Sequence, residues 1–145
     1  ENTETLTQRL GCFASERGYT FRVWAPHATE VSVIGDFNDW NANANVCEKN
    51  ANGEWTVEVE NAVAGQGYKF HIVNGDQSWD RIDPRARQVT SSVGHGIITD
   101  ENFDWQGDDF QMPAWNELMI YEMHVGTFHS VPGKVGDFAS CIEKL

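Results

Sequence analysis

The sequence predicts a mainly β protein, an immunoglobulin-like β-sandwich followed by one β-loop-α unit. Three observations carry this. Apolar and polar residues alternate with period two in Tyr19 to Trp24, Trp55 to Glu60 and Tyr68 to Ile72, as in strands with one buried face. Turn signals recur about every ten residues through this region, the spacing of a sandwich. Near Asp104 the character changes. A nearly continuous apolar run, Leu118 to Val125, follows, as expected of a strand covered on both faces. No Cys…Trp…Cys pattern is present, which excludes an antibody-type domain.

The elements follow in order. Residues 1–17 are polar, with Leu6 and Leu10 as weak anchors, and read as a lead-in or one short edge element. In the first alternating run Tyr19, Phe21 and Val23 share a face. Pro26 ends it, because proline cannot donate to a central ladder. Val31 to Ile34 is the next strand, ending at Gly35. A turn rich in Asp and Asn, Asp36 to Trp40, holds Phe37 and Trp40. Asp and Asn favour turns because their side chains bond nearby backbone. Trp40 either plugs the core edge or lies on the surface as a platform. Asn41 to Gly53 shows no pattern and reads as a loop, ending in an Asn52-Gly53 hairpin signal. Trp55, Val57 and Val59 are expected inward, and Trp24 is expected in the core with Trp55. Tyr68, Phe70 and Ile72 turn inward, Lys69 and His71 outward. Asn74-Gly75 signals a second hairpin, leading into Ser78-Trp79-Asp80. Ala86 to Thr90 and Gly96 to Thr99 are short candidate strands. Residues 104–117 read as a linker. Phe138, Cys141, Ile142 and Leu145 recur at helical spacing behind a candidate cap, Asp137.

Composition narrows the function classes. The 145 residues carry a net charge of −12, with 40% apolar and 12% aromatic residues. The charge argues against nucleic acid, which needs clustered Lys and Arg, and leaves room for a neutral polymer. No apolar run is long enough to cross a bilayer. Cys12, Cys47 and Cys141 are widely spaced, so reduced thiols in a cytoplasmic protein are expected rather than a disulfide framework or a zinc site. His27, His71, His95 and His129 show no spacing pattern and read as surface or structural residues.

Three ordered motifs carry a resemblance: Phe21-Arg22-Val23-Trp24-Ala25-Pro26, Gly35-Asp36-Phe37-Asn38-Asp39-Trp40 and Gly67-Tyr68-Lys69-Phe70-His71-Ile72. Together they resemble the glycogen- and starch-binding module at the N-terminus of branching enzymes, debranching enzymes and trehalohydrolases of the α-amylase family. The match covers residues 18–103. Residues 115–128 resemble the first strand of that family's (β/α)₈ barrel, and residues 138–145 its first helix. A complete barrel needs about 250 residues, so the resemblance implies domains at 18–103 and 118–145, the second truncated. It implies α-1,4-glucan as partner, together with the remainder of the barrel, and a branching-enzyme-like activity. Trp40, Lys69 and Trp79 fall on the positions that hold glucan in the family. The family's ligand Asn has no match in Ser92-Val93-Gly94-His95-Gly96.

Retaining glycosidic chemistry needs two carboxylates across the scissile bond. The resemblance places these on later barrel strands. No catalytic residue, cofactor or metal ligand is therefore expected here, and the chain alone should be inactive. Glu122 and His124, one residue apart, would share a side of a strand, as a metal or acid/base pair would, and read rather as a hydrogen-bonded packing pair inside the barrel. Asp36 and Asp39 read as turn residues. Two alternatives stay open: a stand-alone glucan-binding regulatory module, and a structural packing domain.

Overall fold

The computed structural model describes residues 9–100 and 102–145. Leu6 and most of the lead-in lie outside them. Residues up to Asp104 form one unit and residues from Trp105 another.

The first unit is two antiparallel β-sheets facing each other. One has the order β1-β2-β5-β4, from Gly11–Ala14, Tyr19–Trp24, Glu54–Val59 and Glu48–Lys49. The other runs β3-β6-β9-β8, from Glu30–Gly35, Gly67–Asn74, Gly96–Ile97 and Gln88–Val89, with β7 (Gln77–Arg81) also on β6. The alternating runs form the centre. β2 lies on β5 with Phe21 opposite Val57 and Val23 opposite Trp55. β3 lies on β6 with Val33 opposite Phe70. Directly opposed residues share a face, so these side chains fill the space between the sheets. Phe21, Val31, Val33, Val59, Tyr68 and Phe70 are almost fully buried. The Phe21 ring meets Tyr68 edge-on at 5.0 Å and Phe37 at 5.6 Å, which joins the two sheets through aromatic contact.

Both expected hairpins form. Asn50 to Gly53 turns β4 into β5, and Gly75-Asp76 joins β6 to β7, pairing Asn74 with Gln77. Two features depart from the sequence reading. The stretch after Trp40 is not all loop. Val33 N donates to Asn45 O and Cys47 N to Val31 O, and the chain then continues as β4 on the opposite sheet. One segment thus covers the β3 edge and joins the sheets, which shields unpaired backbone. Trp24 is not core. It is 61% exposed, and its Nε1 donates to Asn52 O at 3.2 Å. Strand alternation explains this: with Phe21 and Val23 inward, Trp24 must point away.

Beneath the core, Tyr68 Oη donates to Asp83 Oδ2 at 2.7 Å and Arg85 N to Asp83 Oδ1 at 2.7 Å. Burial raises the pKa of both the phenol and the carboxyl. This pair holds residues 83–85 to β6.

In the second unit, residues 118–124 are not a strand. A short helical turn, Trp115–Glu117, is followed by irregular backbone and the helix α1 (Val125–Phe128). A strand needs a neighbour to receive its backbone groups, and among the described residues Leu118 to Val125 has none. The same-side argument for Glu122 and His124 lapses with the strand; His124 Nδ1 instead lies 3.1 Å from Thr127 Oγ1. The expected helix does form, as α2 (Phe138–Ile142). Asp137 caps it, accepting from Ser140 N at 2.8 Å, while Asp137 N donates to Ser140 Oγ. That backbone bond holds the Asp137 carboxyl below its ordinary range.

Candidate functional site

The site grows from the turn after β3. Gly35 is needed there: a Cβ at this position would lie 2.4 Å from Gly67 O. Asn38 Oδ1 accepts from Gly35 N, and Asn38 Nδ2 donates to Val33 O and Asn45 Oδ1. Phe37 is the core plug. Asp39 and Trp40 then take left-handed backbone, φ 53° and 59°, which turns the indole outward. Trp40 is 37% exposed.

One carboxylate ties this turn to the sheet. Asp36 Oδ1 accepts from Trp40 Nε1 at 3.0 Å, and Asp36 Oδ2 from Gly67 N at 2.6 Å. Asp36 therefore serves the turn through its side chain, and Asp39 through its left-handed backbone. The indole and the His95 ring lie 5.2 Å apart between centroids, at 63° to one another. A Cβ on Gly67 would lie 2.5 Å from the His95 ring, so that ring covers the Gly67 side of β6. Gly67, Lys69 and His71 alternate onto one side of the strand. Lys69 thus emerges on the side of β6 that carries the His95 ring, roughly 7 Å along the strand from Gly67.

Trp79 is placed differently. It is 36% exposed on β7, and its register partner is Ile72, an inward residue. Lys69 and Trp79 therefore point to opposite sides of the sheet. The Trp79 partner is also five residues from Gly67, roughly 16 Å along β6. Of the three residues expected together, Trp79 lies on the side of the sheet away from Lys69. His95 was read from sequence as a surface or structural residue. Its proximity to Trp40 depends on β9 pairing with β6, which no local pattern reveals.

A hydrolytic reading fails on this sheet. Ser32, His71 and Asp80 are successive register partners, and His71 Nδ1 lies 2.7 Å from Asp80 Oδ1. The residue types are those of a nucleophilic triad. However, Ser32 is fully buried and its Oγ has no hydrogen-bond partner among the described residues. No base activates it and no substrate reaches it. Among the described residues, no group of three or more His, Cys, Asp or Glu could hold a metal, and no helix is long and apolar enough to cross a membrane.

Comparison with known proteins adds the following. The sequence profile described as Carbohydrate-binding module 48 (Isoamylase N-terminal domain) matches residues 9–86. The 1,4-alpha-glucan branching enzyme GlgB of Corynebacterium jeikeium is 36% identical over 86% of this chain and 19% of its own length. The GlgB of Salinibacter ruber is 37% identical over 83% of the chain and 22% of its own length. The chain thus spans about a fifth of these relatives. Among solved structures, pullulanase from Bacillus acidopullulyticus is 28% identical with a TM-score of 0.58, over 73% of this chain and 14% of that one. Apo pullulanase from Paenibacillus barengoltzii is 25% identical with a TM-score of 0.66, over 86% and 20%.

Proposed function

Since this chain belongs to the carbohydrate-binding module 48 family, we propose that it binds α-1,4-glucan through the face built on Trp40 and Lys69. The carrying observation is the Trp40 indole, more than a third exposed while its Nε1 is fixed to Asp36. A sugar presents apolar CH faces and hydroxyl edges. An indole stacks on the first, and polar side chains bond the second. Lys69 supplies ammonium donors for hydroxyls. Trp79, exposed on the edge strand but on the other side of the sheet, serves as a second contact for long glucans that pass round the edge.

The whole protein, on this reading, is a 1,4-α-glucan branching enzyme, with the immunoglobulin-like module positioning glucan for a catalytic barrel that begins at residues 118–145. Similarity to two GlgB enzymes over most of this chain supports it. Three free cysteines suit a cytoplasmic setting. The reacting carboxylates would lie in the remainder of the barrel, so the 145-residue chain should show no turnover. Branching or hydrolysis by the purified chain would overturn that part.

Affinity electrophoresis in glycogen-loaded gels tests the binding face. Wild type should be retarded, Trp40→Ala should not, and Lys69→Ala should be intermediate. Trp79→Ala should lose retardation in glycogen while binding maltotriose as wild type does. Wild-type migration unaffected by glycogen would overturn sugar binding and leave a packing domain.

A further inference from the structure

We infer that Asn74 is a self-modification site: its side-chain amide is lost to attack by the Gly75 nitrogen, and the β-linked aspartate that results loosens β7. The inference does not depend on sugar binding.

The sequence holds two Asn-Gly pairs, Asn52-Gly53 and Asn74-Gly75. In both, glycine leaves the attacking nitrogen unhindered by a Cβ. The fold separates them. Gly53 N donates to Asn50 O at 3.2 Å, and Gly53 O accepts from Ala25 N at 3.0 Å. Asn52 N donates to Asn50 Oδ1 at 2.9 Å, and Asn52 O accepts from Trp24 Nε1 at 3.2 Å. Gly53 is buried, and a Cβ there would lie 2.8 Å from Pro26 Cα. The nitrogen of the first pair is thus occupied, and its peptide cannot swing toward the Asn52 side chain.

Nothing comparable holds the second pair. Asn74 and Gly75 are exposed, and a Cβ on Gly75 would meet nothing within 4 Å. Gly75 N has no hydrogen-bond partner among the described residues. The β3 ladder ends at Val73, opposite Glu30, and the pairing of Asn74 with Gln77 is the last rung of the β7 ladder. A ladder opens most readily at its end.

The chemistry needs only water. Gly75 N attacks Asn74 Cγ, a C–N bond forms, and the Cγ–Nδ2 bond breaks. The departing amide nitrogen takes the Gly75 N–H proton and leaves as ammonia. Water then opens the cyclic imide. Opening at Cγ gives aspartate; opening at the main-chain carbonyl gives a β-linked aspartate, with an extra methylene in the backbone. That methylene enters at the residue whose pairing with Gln77 sets Trp79 opposite Ile72. β7 pairs with β6 alone and all five of its residues are exposed, so little else retains it when the turn is lengthened.

Incubation of the 145-residue chain in mildly alkaline buffer, followed by tryptic peptide mapping, tests this. Asn74 falls in the peptide 70–81 and Asn52 in the peptide 50–69. Peptide 70–81 should split into the amide and two acid forms, the β-linked form being labelled by isoaspartyl methyltransferase. In the folded chain Asn52 should convert at least about 10-fold more slowly than Asn74; in urea the two should convert alike. Hydrogen exchange of residues 78–81 should be faster in the converted chain. It should be unchanged in N74Q after the same incubation, since glutamine would have to close a larger ring. Asn74 intact in the folded chain, or Asn52 converting there as fast as Asn74, would overturn the site. Exchange in 78–81 unaffected by conversion would overturn its effect on β7.

Discussion

Tyr68→Phe removes one oxygen from the centre of the molecule. Tyr68 and Asp83 are 1% and 3% exposed, and the phenol donates to the carboxylate at 2.7 Å. A hydrogen bond to a charged group contributes about 1.5–3 kcal/mol. After the change, Arg85 N still bonds Asp83 Oδ1, but Oδ2 loses its donor while buried. The expected loss near neutral pH is about 2 kcal/mol, or a melting temperature lower by about 8–16 °C for a unit of this size. The sign of its pH dependence follows from Asp83. Burial raises this carboxyl's pKa above its unfolded value, and the Tyr68 bond opposes that rise. The folded state therefore holds the proton more tightly. Stability is full below the ordinary carboxylate range and falls as pH climbs through the folded pKa. Without the phenol, the folded pKa moves higher. The destabilisation should then be larger near pH 7 than near pH 4. Asp83→Asn, which cannot titrate, should flatten the dependence across that window. Thermal melts at the two pH values decide it. Equal losses at both, or none at either, would refute the reasoning.

Two further expectations concern other buried and exposed groups. Trp55 is buried and donates through Nε1 to Ala25 O, whereas Trp24 is exposed with a single bond to Asn52 O. In urea unfolding, Trp55→Ala should cost about 3–5 kcal/mol and Trp24→Ala about 1 kcal/mol; similar costs would contradict the assignment of Trp24 to the outer face. Burial pushes the Cys47 thiol up to about 12, so a thiolate-selective reagent near pH 8 should label Cys47 only after unfolding. Rapid labelling of Cys47 in the native protein would refute its placement behind β3.

The parts legible in the sequence are those decided by local pattern. β2, β5 and β6 alternate, and both hairpins carry Asn-Gly. β4 was not legible. Its two residues, Glu48 and Lys49, are exposed and exist as a strand only because β5 offers them an edge. The Leu118 to Val125 run fails in the other direction. Its apolar content suits a strand, but the pattern cannot supply the neighbours that a strand requires. Trp79 shows how one residue decides a face. The two-residue turn at Gly75-Asp76 pairs Asn74 with Gln77 and so Ile72 with Trp79. A shift of one would have placed the indole on the Lys69 side. Sequence reading supplied the aromatic residue but not the register count.

The backbone at Trp40 bears on why the turn has this form. A bulky residue at φ 59° is uncommon, and left-handed geometry costs a non-glycine residue about 1–2 kcal/mol. Glycine or asparagine there would close the same turn at lower cost. Phe37 already plugs the core, and the indole remains 37% exposed. Asp36 offsets part of the cost through the Trp40 Nε1 bond, but the same carboxylate would still anchor Gly67 if Trp40 were absent. The side chain strains the backbone, leaves more than a third of its surface in solvent and is nonetheless fixed by a dedicated bond. Its exposed part is an apolar surface held at a set angle beside His95, and that supports the stacking role proposed for it.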